Sequence, residues 1–288
     1  MDDFETTASR KIHLRSLNEY LDTEFFGRGD RIVYLPIVAS TNVLAMQLAQ
    51  NGSEEGVVVL TDSQTAGKGR QGRRWIDVAG WNVLSSIVLR PLFPSYLLIM
   101  VASLAVVATI ADTCGVAATI KWPNDILIED RKVAGILIET SHDRAGRLVA
   151  ILGIGVNVNG SIAPIRADLS ISSSTTSGLV KRATTLEEEC GHTVSRELFI
   201  AHLLRHIETP YLELQRETTH SLAPGTMPFS RLLREQWRNQ LSTLGHPIQV
   251  RQGNTVLSGV AEDVNDQGEL LLRSHSGELV SITWGDVG

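Results

Sequence analysis

Short runs of apolar residues, each bounded by polar or turn-forming residues, recur through the first half of the chain. Runs of this kind, rich in valine, isoleucine and leucine, are typical of strands that are buried on both faces of a sheet. They predict strands over Gly56–Leu60, Trp81–Leu89, Lys132–Glu139 and Leu148–Ile154. Shorter runs predict strands over Arg31–Leu35, Thr119–Trp122 and Ile126–Glu129, and a hairpin turn at Asp143–Gly146.

Segments with apolar residues at helical spacing lie between and after these strands. They predict helices over Asn42–Gln50, 95–113, Arg196–Leu214 and Phe229–Gln240. Ser40 or Thr41 is typical of the N-cap that begins the first helix, and Asn51–Gly52 would end it. The polar region 160–190 predicts a loop, with a serine- and threonine-rich run at Ser172–Gly178.

The most apolar segment, Ser95–Ala111, contains no charged residue. It is slightly shorter than the roughly 20 residues that a membrane-spanning helix needs, and it ends at Asp112. Upstream it is interrupted by Arg90, Pro91 and Pro94. Because its alanine, serine and threonine residues suit close packing, we predict a buried helix and no membrane span.

From Gly245 onward the pattern changes to short strands separated by turns. The strands are predicted over Ile248–Arg251, Val256–Glu262, Leu270–Arg273 and Leu279–Trp284. This spacing predicts a small β-barrel of the SH3 type. The predicted fold class is therefore α+β, a mixed β-sheet with helices followed by the barrel. We divide the chain into an N-terminal extension (1–30), a large domain (31–243) and the barrel domain (244–288).

Composition and charge narrow the classes of function. The 288 residues suit one large domain and one small domain. A net charge of −6 and a pI of about 5.8 argue against a broad nucleic-acid-binding surface. Residues 1–30 show no signal peptide pattern, and Cys114 and Cys190 lack the spacing of a disulfide framework or metal site. Together these features predict a cytoplasmic protein.

Against this acidic background, the segment Gly67–Trp75 concentrates three glycines and four cations, and we call it the basic loop. Such a segment repels itself, so we expect it to order around an anion; a solvated surface loop is the alternative. Gly67, Gly69 and Gly72 also match G-x-G-x-x-G. No helix pattern follows, and the acidic residue about 20 positions on is missing, so a dinucleotide site is not predicted.

Three further patterns each have a purely structural alternative. Lys121–Asp125 contains a tight turn around its proline and could be a hairpin corner. Gly153–Asn159 follows a buried strand and could be a bulge whose asparagines bond the backbone. Lys132 lies at the start of a predicted strand, and a lysine in such a position is usually solvated.

His202 and His206 have the spacing of metal ligands on a helix, but no third ligand stands out, so we predict a solvated helix face.

In chain order, GKGRQGRRW at 67–75, KWPNDILIEDRKVAG at 121–135 and GIGVNVN at 153–159 resemble the motifs of biotin protein ligases. The resemblance covers the chain roughly from Arg31 to the C-terminus, and the combination is more specific than any one motif. It implies that 31–243 is a biotin- and ATP-binding catalytic domain of the biotin–lipoate ligase type, similar to class II synthetases. Residues 1–30 are too short for the winged-helix DNA-binding domain of some members, so we expect the form without it.

The resemblance also implies roles for individual residues. The expected catalytic residues are Lys132, which would reach the biotin carboxylate and the α-phosphate, and Arg70, which would hold the acyl-adenylate. The expected biotin-binding residues are Ser40, Thr41, Asn42, Gln64, Lys68, Gly69, Arg70, Lys132 and Gly135. The expected ATP- or adenylate-binding residues are Gly67, Arg70, Arg73, Trp75, Asn124, Lys132 and Asn157.

Within these sets, Ser40, Thr41, Asn42 and Gln64 would face the ureido ring, which presents one carbonyl and two N–H groups. Gly135 would let the ligand approach the backbone, and Asn157 would recognise the adenine or ribose region. The individual roles of Asn124 and Asp125 stay open. The family usually has arginine where this chain has Lys68, and lysine offers a point charge without a planar fork.

The activity implied is ATP-dependent formation of biotinyl-AMP, followed by transfer to a lysine of a biotin carboxyl carrier protein of acyl-CoA carboxylases. Biotin and ATP are the substrates, and Mg²⁺ would accompany the triphosphate without a protein metal site. No nucleic-acid or membrane partner is expected, and a homodimer is left open. The alternatives are a lipoate or octanoate protein ligase or transferase and a biotin-responsive transcriptional repressor.

Overall fold

The computed structural model describes residues 11–162 and 183–288, apart from Leu222 and Pro224. The strands of its larger sheet are β1 (Ile32–Val38), β2 (Val58–Gln64), β3 (Asn82–Leu89), β4 (Thr119–Lys121), β5 (Asp125–Ile128), β6 (Arg131–His142) and β7 (Leu148–Asn157). The strands of the smaller sheet are β8 (Pro247–Gln252), β9 (Thr255–Val264), β10 (Leu270–Ser274), β11 (Leu279–Ile282) and β12 (Asp286–Val287). The α-helices are Leu14–Tyr20, Thr41–Gln50, Leu97–Cys114, Leu186–Cys190, Arg196–Thr219 and Phe229–Asn239.

The larger sheet has seven strands in the order β1-β2-β3-β7-β6-β5-β4. β1 and β2 are parallel, and every other neighbouring pair is antiparallel, so the prediction of a mixed sheet is confirmed. β3 is buried along its whole length, as its continuous apolar run indicates. β6 extends beyond its apolar run to His142, which pairs with Leu148, and β7 extends beyond its run to Asn157, which pairs with Asn82 of β3. The turn that joins them is closed by Asp143, which accepts hydrogen bonds from the backbone of Ala145 and Arg147.

The apolar segment predicted as a buried helix forms Leu97–Cys114, with ten buried residues. Gly115 ends it in the left-handed region with φ of 65°. By length and composition alone this helix could cross a membrane. Here it packs against the helices Arg196–Thr219 and Phe229–Asn239 and against β6. It therefore forms the centre of the core under the sheet.

The smaller sheet is antiparallel and has the order β11-β10-β9-β8-β12. Four of its strands follow the sequence prediction, and this agrees with the expected SH3-like module. β12 is a two-residue strand that the sequence pattern does not indicate. The module contacts the larger domain at Trp122, whose indole N–H donates to the Gly268 carbonyl at 3.0 Å. The boundary between 243 and 244 stays a prediction.

One expectation about the polar region 160–190 was wrong where the structure describes it. Residues Leu186–Cys190 form a helix that begins at Thr185, whose side chain accepts from the Glu188 backbone N–H. Acidic residues in the first turn suit the positive end of the helix dipole. The serine- and threonine-rich run Ser172–Gly178 lies outside the described residues.

Residues 11–30 pack against the long helix Arg196–Thr219, and a buried glutamate holds them there. Glu208 is 4% exposed. Its carboxylate accepts hydrogen bonds from the backbone N–H groups of Glu24, Phe25 and Phe26, the last two at 2.9 and 2.6 Å. A charged acceptor for three converging N–H groups is a strong arrangement in a buried setting.

Replacing Glu208 with glutamine is expected to lower the free energy of unfolding by about 2 kcal/mol. The amide would keep one acceptor oxygen and turn an NH₂ group toward a backbone N–H. Urea titration of both proteins measures the difference. Glu213→Gln, on the exposed side of the same helix where Glu213 pairs with Arg216, should change stability by less than about 0.5 kcal/mol. Equal stability of Glu208→Gln and the wild type would contradict the anchoring role.

Candidate active site

A cavity of about 510 Å³ opens on the sheet beside the basic loop. It is lined by β6 and β7, by the start of the helix Thr41–Gln50, by the basic loop and by Asp286 of the C-terminal module. The predicted site residues that line it are Ser40, Thr41, Asn42, Gln64, Lys68, Gly69, Arg70, Arg73, Trp75, Asn124, Lys132, Gly135 and Asn157. The structure thus brings together residues from five separate parts of the sequence.

Gly67 is the predicted site residue that does not line this cavity; it lies in a neighbouring hollow on the other side of the basic loop. Its carbonyl accepts from the Trp75 backbone N–H at 3.0 Å. A Cβ at this position would come 2.6 Å from the Trp75 carbonyl oxygen. Gly67 is therefore needed where the two arms of the basic loop approach each other.

The basic loop is folded as a narrow hairpin with a 3-10 turn at Arg70–Gly72. The Gly69 backbone N–H donates to the Arg73 carbonyl at 2.8 Å, and Gly72 has φ of 74°. Carboxylates from other parts of the fold offset its charge: Glu139 pairs with Lys68 and Asp286 pairs with Arg73. Protein carboxylates thus lie beside the cations of the loop, and the expectation that the loop orders around an anionic ligand stays a prediction.

Arg70 lies at the cationic end of the cavity. Its Nη1 donates to Asn124 Oδ1 at 2.9 Å and to the Gly285 carbonyl at 3.4 Å. Burial lowers the pKa of Arg70 from its ordinary value, while the nearby carboxylates Asp286 and Asp125 oppose that shift. Asn124 in turn donates to the Ile136 carbonyl at 2.9 Å. Asn124 therefore connects Arg70 to β6 through these two hydrogen bonds.

Lys132 lies beside Asp125 and Trp75. Its Nζ is 2.6 Å from Asp125 Oδ1 and 5.6 Å from the centroid of the Trp75 ring. A Cβ at Gly135 would come 3.0 Å from that ring and 3.2 Å from Lys132 Nζ, and a Cβ at Gly155 would come 2.7 Å from the ring. The paired glycines of β6 and β7 therefore make room for a protein side chain, Trp75, in addition to any ligand.

The other end of the cavity is neutral and polar. Ser40 is the N-cap of the helix Thr41–Gln50, but its side chain makes no capping hydrogen bond. The Thr41 backbone N–H donates instead to Gln64 Oε1 at 2.8 Å. Asn42 is packed against β7 so closely that a Cβ at Gly153 would come 2.1 Å from its Oδ1. These contacts fix the Thr41, Asn42 and Gln64 side chains before any ligand is considered.

Asn157 is 9% exposed and donates through Nδ2 to the Thr184 carbonyl at 3.1 Å. This bond connects the end of β7 to the segment that follows residues 163–182. The role of Asn157 in recognising adenine or ribose stays a prediction.

Within the described parts of the chain, no group of three or more histidine, cysteine, aspartate or glutamate side chains could hold a metal ion. His206, predicted to lie on a solvated helix face, has Nε2 2.7 Å from Asp112 Oδ2. Asp112 also pairs with Arg205 at 3.5 Å. These contacts bind the long helix to the end of the core helix.

Comparison with known proteins decides the family. Residues 34–159 match the model of the biotin/lipoate A/B protein ligase family, and residues 243–287 match the model of the biotin protein ligase C-terminal domain. The chain is 35% identical to the biotin–[acetyl-CoA-carboxylase] ligase of Paracoccus denitrificans, over 84% of this chain and 93% of the relative. The chain belongs to the biotin protein ligase family.

Other members support the same assignment. The bifunctional ligase/repressor BirA of Bacillus subtilis is 32% identical over 89% of this chain and 73% of its own length. Among solved structures, the biotin protein ligase from Aquifex aeolicus in complex with biotin and ATP superposes with a TM-score of 0.70. That match covers 90% of this chain and 98% of the Aquifex chain at 23% identity, and it shows the shared fold.

For this biotin protein ligase family member, the sequence analysis missed two carboxylates at the site. Asp286 lines the cavity from the C-terminal module, and Glu139 contacts both Lys68 and Asn42. Neither belongs to the three motifs, and the sequence alone gives no signal that a two-residue strand near the C-terminus returns to the basic loop. Asp125, by contrast, stands inside the KWPND motif, and the sequence left its role open.

Proposed function

We propose that the protein activates biotin with ATP to form biotinyl-AMP and pyrophosphate, and then transfers the biotinyl group to a lysine of a biotin carboxyl carrier protein. The observation that carries this proposal is the polarity of the cavity. The hydroxyl of Thr41 is hydrogen-bonded to the amide of Gln64, and Arg70, Arg73 and Lys132 line the same cavity beside Asn124, Asp286 and Asp125. Such a cavity suits a ligand with a neutral polar ring at one end and anionic groups at the other.

In the first step, a carboxylate oxygen of biotin attacks the α-phosphorus of ATP, and the bond to the β-phosphate oxygen breaks. The two anionic reactants repel each other, and Lys132 would lower that cost as the closest ammonium at this end of the cavity. Asp125 holds Lys132 in place at 2.6 Å. The protein supplies position and charge, and it needs no nucleophile of its own.

In the second step, the neutral ε-amine of a carrier lysine attacks the acyl carbon of biotinyl-AMP. The acyl–oxygen bond breaks, AMP leaves, and the nitrogen loses a proton as the amide forms. Until that step the mixed anhydride must be kept from water and from other amines. Arg70, bonded to Asn124 and Gly285, would hold the basic loop over it.

Magnesium would enter with the triphosphate, ligated chiefly by phosphate oxygens. We place the reaction in the cytoplasm, where ATP and the acyl-CoA carboxylases are found.

The direct test is ATP–pyrophosphate exchange, measured with labelled pyrophosphate in the presence and absence of biotin. Exchange that depends on biotin is expected. Lipoate and octanoate, tested at the same concentrations, address the alternative within the larger family, and they should support little exchange because they lack the ureido ring. Transfer is then followed as labelling of an isolated carrier domain from acetyl-CoA carboxylase. Exchange with lipoate but not with biotin would contradict the proposal.

Asp286 supports a prediction about nucleotide binding. Its carboxylate is paired with Arg73 and also lies near Arg70. A polyphosphate that binds the same cations must displace or repel this carboxylate. Replacing Asp286 with asparagine is therefore expected to lower the KM for ATP about threefold, in line with the modest value of a partly exposed ion pair.

The control is Asp266→Asn, which removes a carboxylate from the same module, where it pairs with Arg234 at 2.7 Å. This variant should leave the KM for ATP unchanged. A raised KM for ATP in Asp286→Asn would mean that Asp286 helps to build the nucleotide site instead of competing for its cations.

A further inference from the structure

Glu139 lies on β6 at the boundary between the cavity and the hollow behind the basic loop. Its side chain is 34% exposed. The two carboxylate oxygens have different partners: Oε1 accepts from Lys68 Nζ at 3.3 Å, and Oε2 accepts from Asn42 Nδ2 at 2.8 Å. Glu139 therefore connects the basic loop to the neutral end of the cavity.

An ionised carboxylate can only accept hydrogen bonds, and this fixes the orientation of the Asn42 amide. Nδ2 must face Glu139, and Oδ1 must face Ser86. The Leu137 carbonyl, 3.5 Å from Nδ2, favours the same orientation. Ser86 Oγ lies 2.6 Å from Asn42 Oδ1 and 2.7 Å from Thr41 Oγ1. Because Oδ1 carries only lone pairs, the hydroxyl proton of Ser86 must point to it.

The direction of the next hydrogen bond follows from the first. With the Ser86 proton committed to Asn42, the short contact between Ser86 and Thr41 needs the hydroxyl proton of Thr41. The competing contact from Thr41 Oγ1 to Gln64 Oε1 is longer, at 3.3 Å. Thr41 Oγ1 is then left with lone pairs toward the cavity. Gln64 is fixed separately, because its Oε1 accepts from the Thr41 backbone N–H and its NH₂ group is left as the donor.

We propose that Glu139 is a positioning residue that sets the donor and acceptor pattern of the ureido end of the site. Through Asn42 and Ser86 it makes Thr41 Oγ1 an acceptor for a ureido N–H, while Gln64 offers a donor to the ureido carbonyl. This proposal rests on the proposed function, since it assumes that biotin's ring occupies the neutral end. Glu139 itself acts through Asn42 and need not touch biotin.

Glutamine at position 139 is nearly the same shape but cannot serve both partners. Lys68 and the Asn42 NH₂ group are both donors, and a glutamine has one acceptor oxygen. If that oxygen faces Lys68, the amide NH₂ group faces Asn42 and favours the reversed Asn42 amide. The hydrogen bonds through Ser86 to Thr41 would then reverse as well. The Thr41 proton is freed from Ser86, and where it does not turn to Gln64 Oε1 at 3.3 Å it faces a ureido N–H.

The experiment is biotin-dependent ATP–pyrophosphate exchange with the full chain. Glu139→Gln is expected to raise the KM for biotin about tenfold, the factor that corresponds to one net hydrogen bond of roughly 1.4 kcal/mol. The KM for ATP should stay within about twofold of the wild type. A general loosening of the fold would raise both values, so the contrast between the two substrates separates a positioning role from a merely structural one.

A second test makes the Glu139→Gln change in the Lys68→Ala variant. In Lys68→Ala, a glutamine at position 139 is free to turn its oxygen to Asn42, because the competing donor is gone. The effect of Glu139→Gln on the KM for biotin should therefore fall from about tenfold to twofold or less in that background. Lys68→Ala alone serves as the reference, so any effect of its own on the basic loop cancels in the comparison.

The outcomes are distinct. A wild-type protein without biotin-dependent exchange would overturn the proposed function. Biotin-dependent exchange with an unchanged KM for biotin in Glu139→Gln would overturn only the role of Glu139. An equal penalty in the wild-type and Lys68→Ala backgrounds would also overturn it, because the donor competition at Glu139 would then not cause the change.

Discussion

Replacing Lys132 with alanine is expected to lower biotin-dependent ATP–pyrophosphate exchange by about 10²–10³-fold, the usual loss when one electrostatic stabiliser is removed from a transition state. Lys132 Nζ lies at the cationic end of the cavity, 2.6 Å from Asp125. Without it, Asp125 would face the biotin carboxylate and the α-phosphate as a third negative charge. The loss should therefore fall on adenylate formation, measured directly by pyrophosphate release.

Two controls distinguish this effect from a loss of folding. Lys11→Ala removes the same charge from an exposed position that does not line the cavity and should leave exchange unchanged. The double variant Lys132→Ala with Asp125→Asn removes the carboxylate that was left without its partner and should recover part of the lost rate. Normal pyrophosphate release by Lys132→Ala would remove this lysine from the mechanism.

Replacing Arg70 with glycine is expected to release biotinyl-AMP from the site while leaving its formation measurable. Arg70 joins the basic loop to Asn124 and to the Gly285 carbonyl, so its loss removes contacts from both the sheet and the C-terminal module. The escaped mixed anhydride acylates exposed amines without selection. Labelling of a bystander protein such as serum albumin should rise at least about tenfold, the factor for roughly 1.4 kcal/mol of lost retention.

The matched control is Arg74→Gly in the same loop. It removes an equal charge and adds the same backbone freedom. Arg74 also lines the cavity, but its side chain bonds the Thr65 carbonyl at 2.8 Å, whereas Arg70 bonds Asn124 and the Gly285 carbonyl. Bystander labelling by this variant should stay near the wild-type level. An active Arg70→Gly protein that still labels only the carrier domain would show that retention depends on other contacts.

The sequence predicts the strands of the larger sheet well, because short continuous apolar runs such as that of β3 are typical of strands buried on both faces. Most of the predicted site residues that lie in motifs line one cavity, and their roles in binding stay predictions. At Gly135 the motif predicts the space but not what occupies it. The motif indicates that space is needed over the backbone, and in the structure Trp75 and Lys132 lie there.

The roles of two glutamates could not be predicted from the sequence, because they depend on contacts between residues that are distant in the chain. Glu139 reads as an ordinary polar residue at the end of a strand, and its role follows from Lys68 and Asn42, which reach it from two other elements. Glu208 reads as one of several glutamates on a long helix, until residues 24–26 fold against it. In each case the contacts of the side chain come from residues that are close in space but distant in the sequence, so local sequence patterns do not indicate them.

The return of the C-terminal module to the basic loop has a consequence for biosynthesis. A nascent chain can fold its large sheet while translation continues, but Gly285 and Asp286, which bind Arg70 and Arg73, are made long after the loop they contact. A partly synthesised protein would therefore have the cations and the ring-binding groups without the closure. Retention of a reactive intermediate would begin only after the ribosome has delivered the final strand.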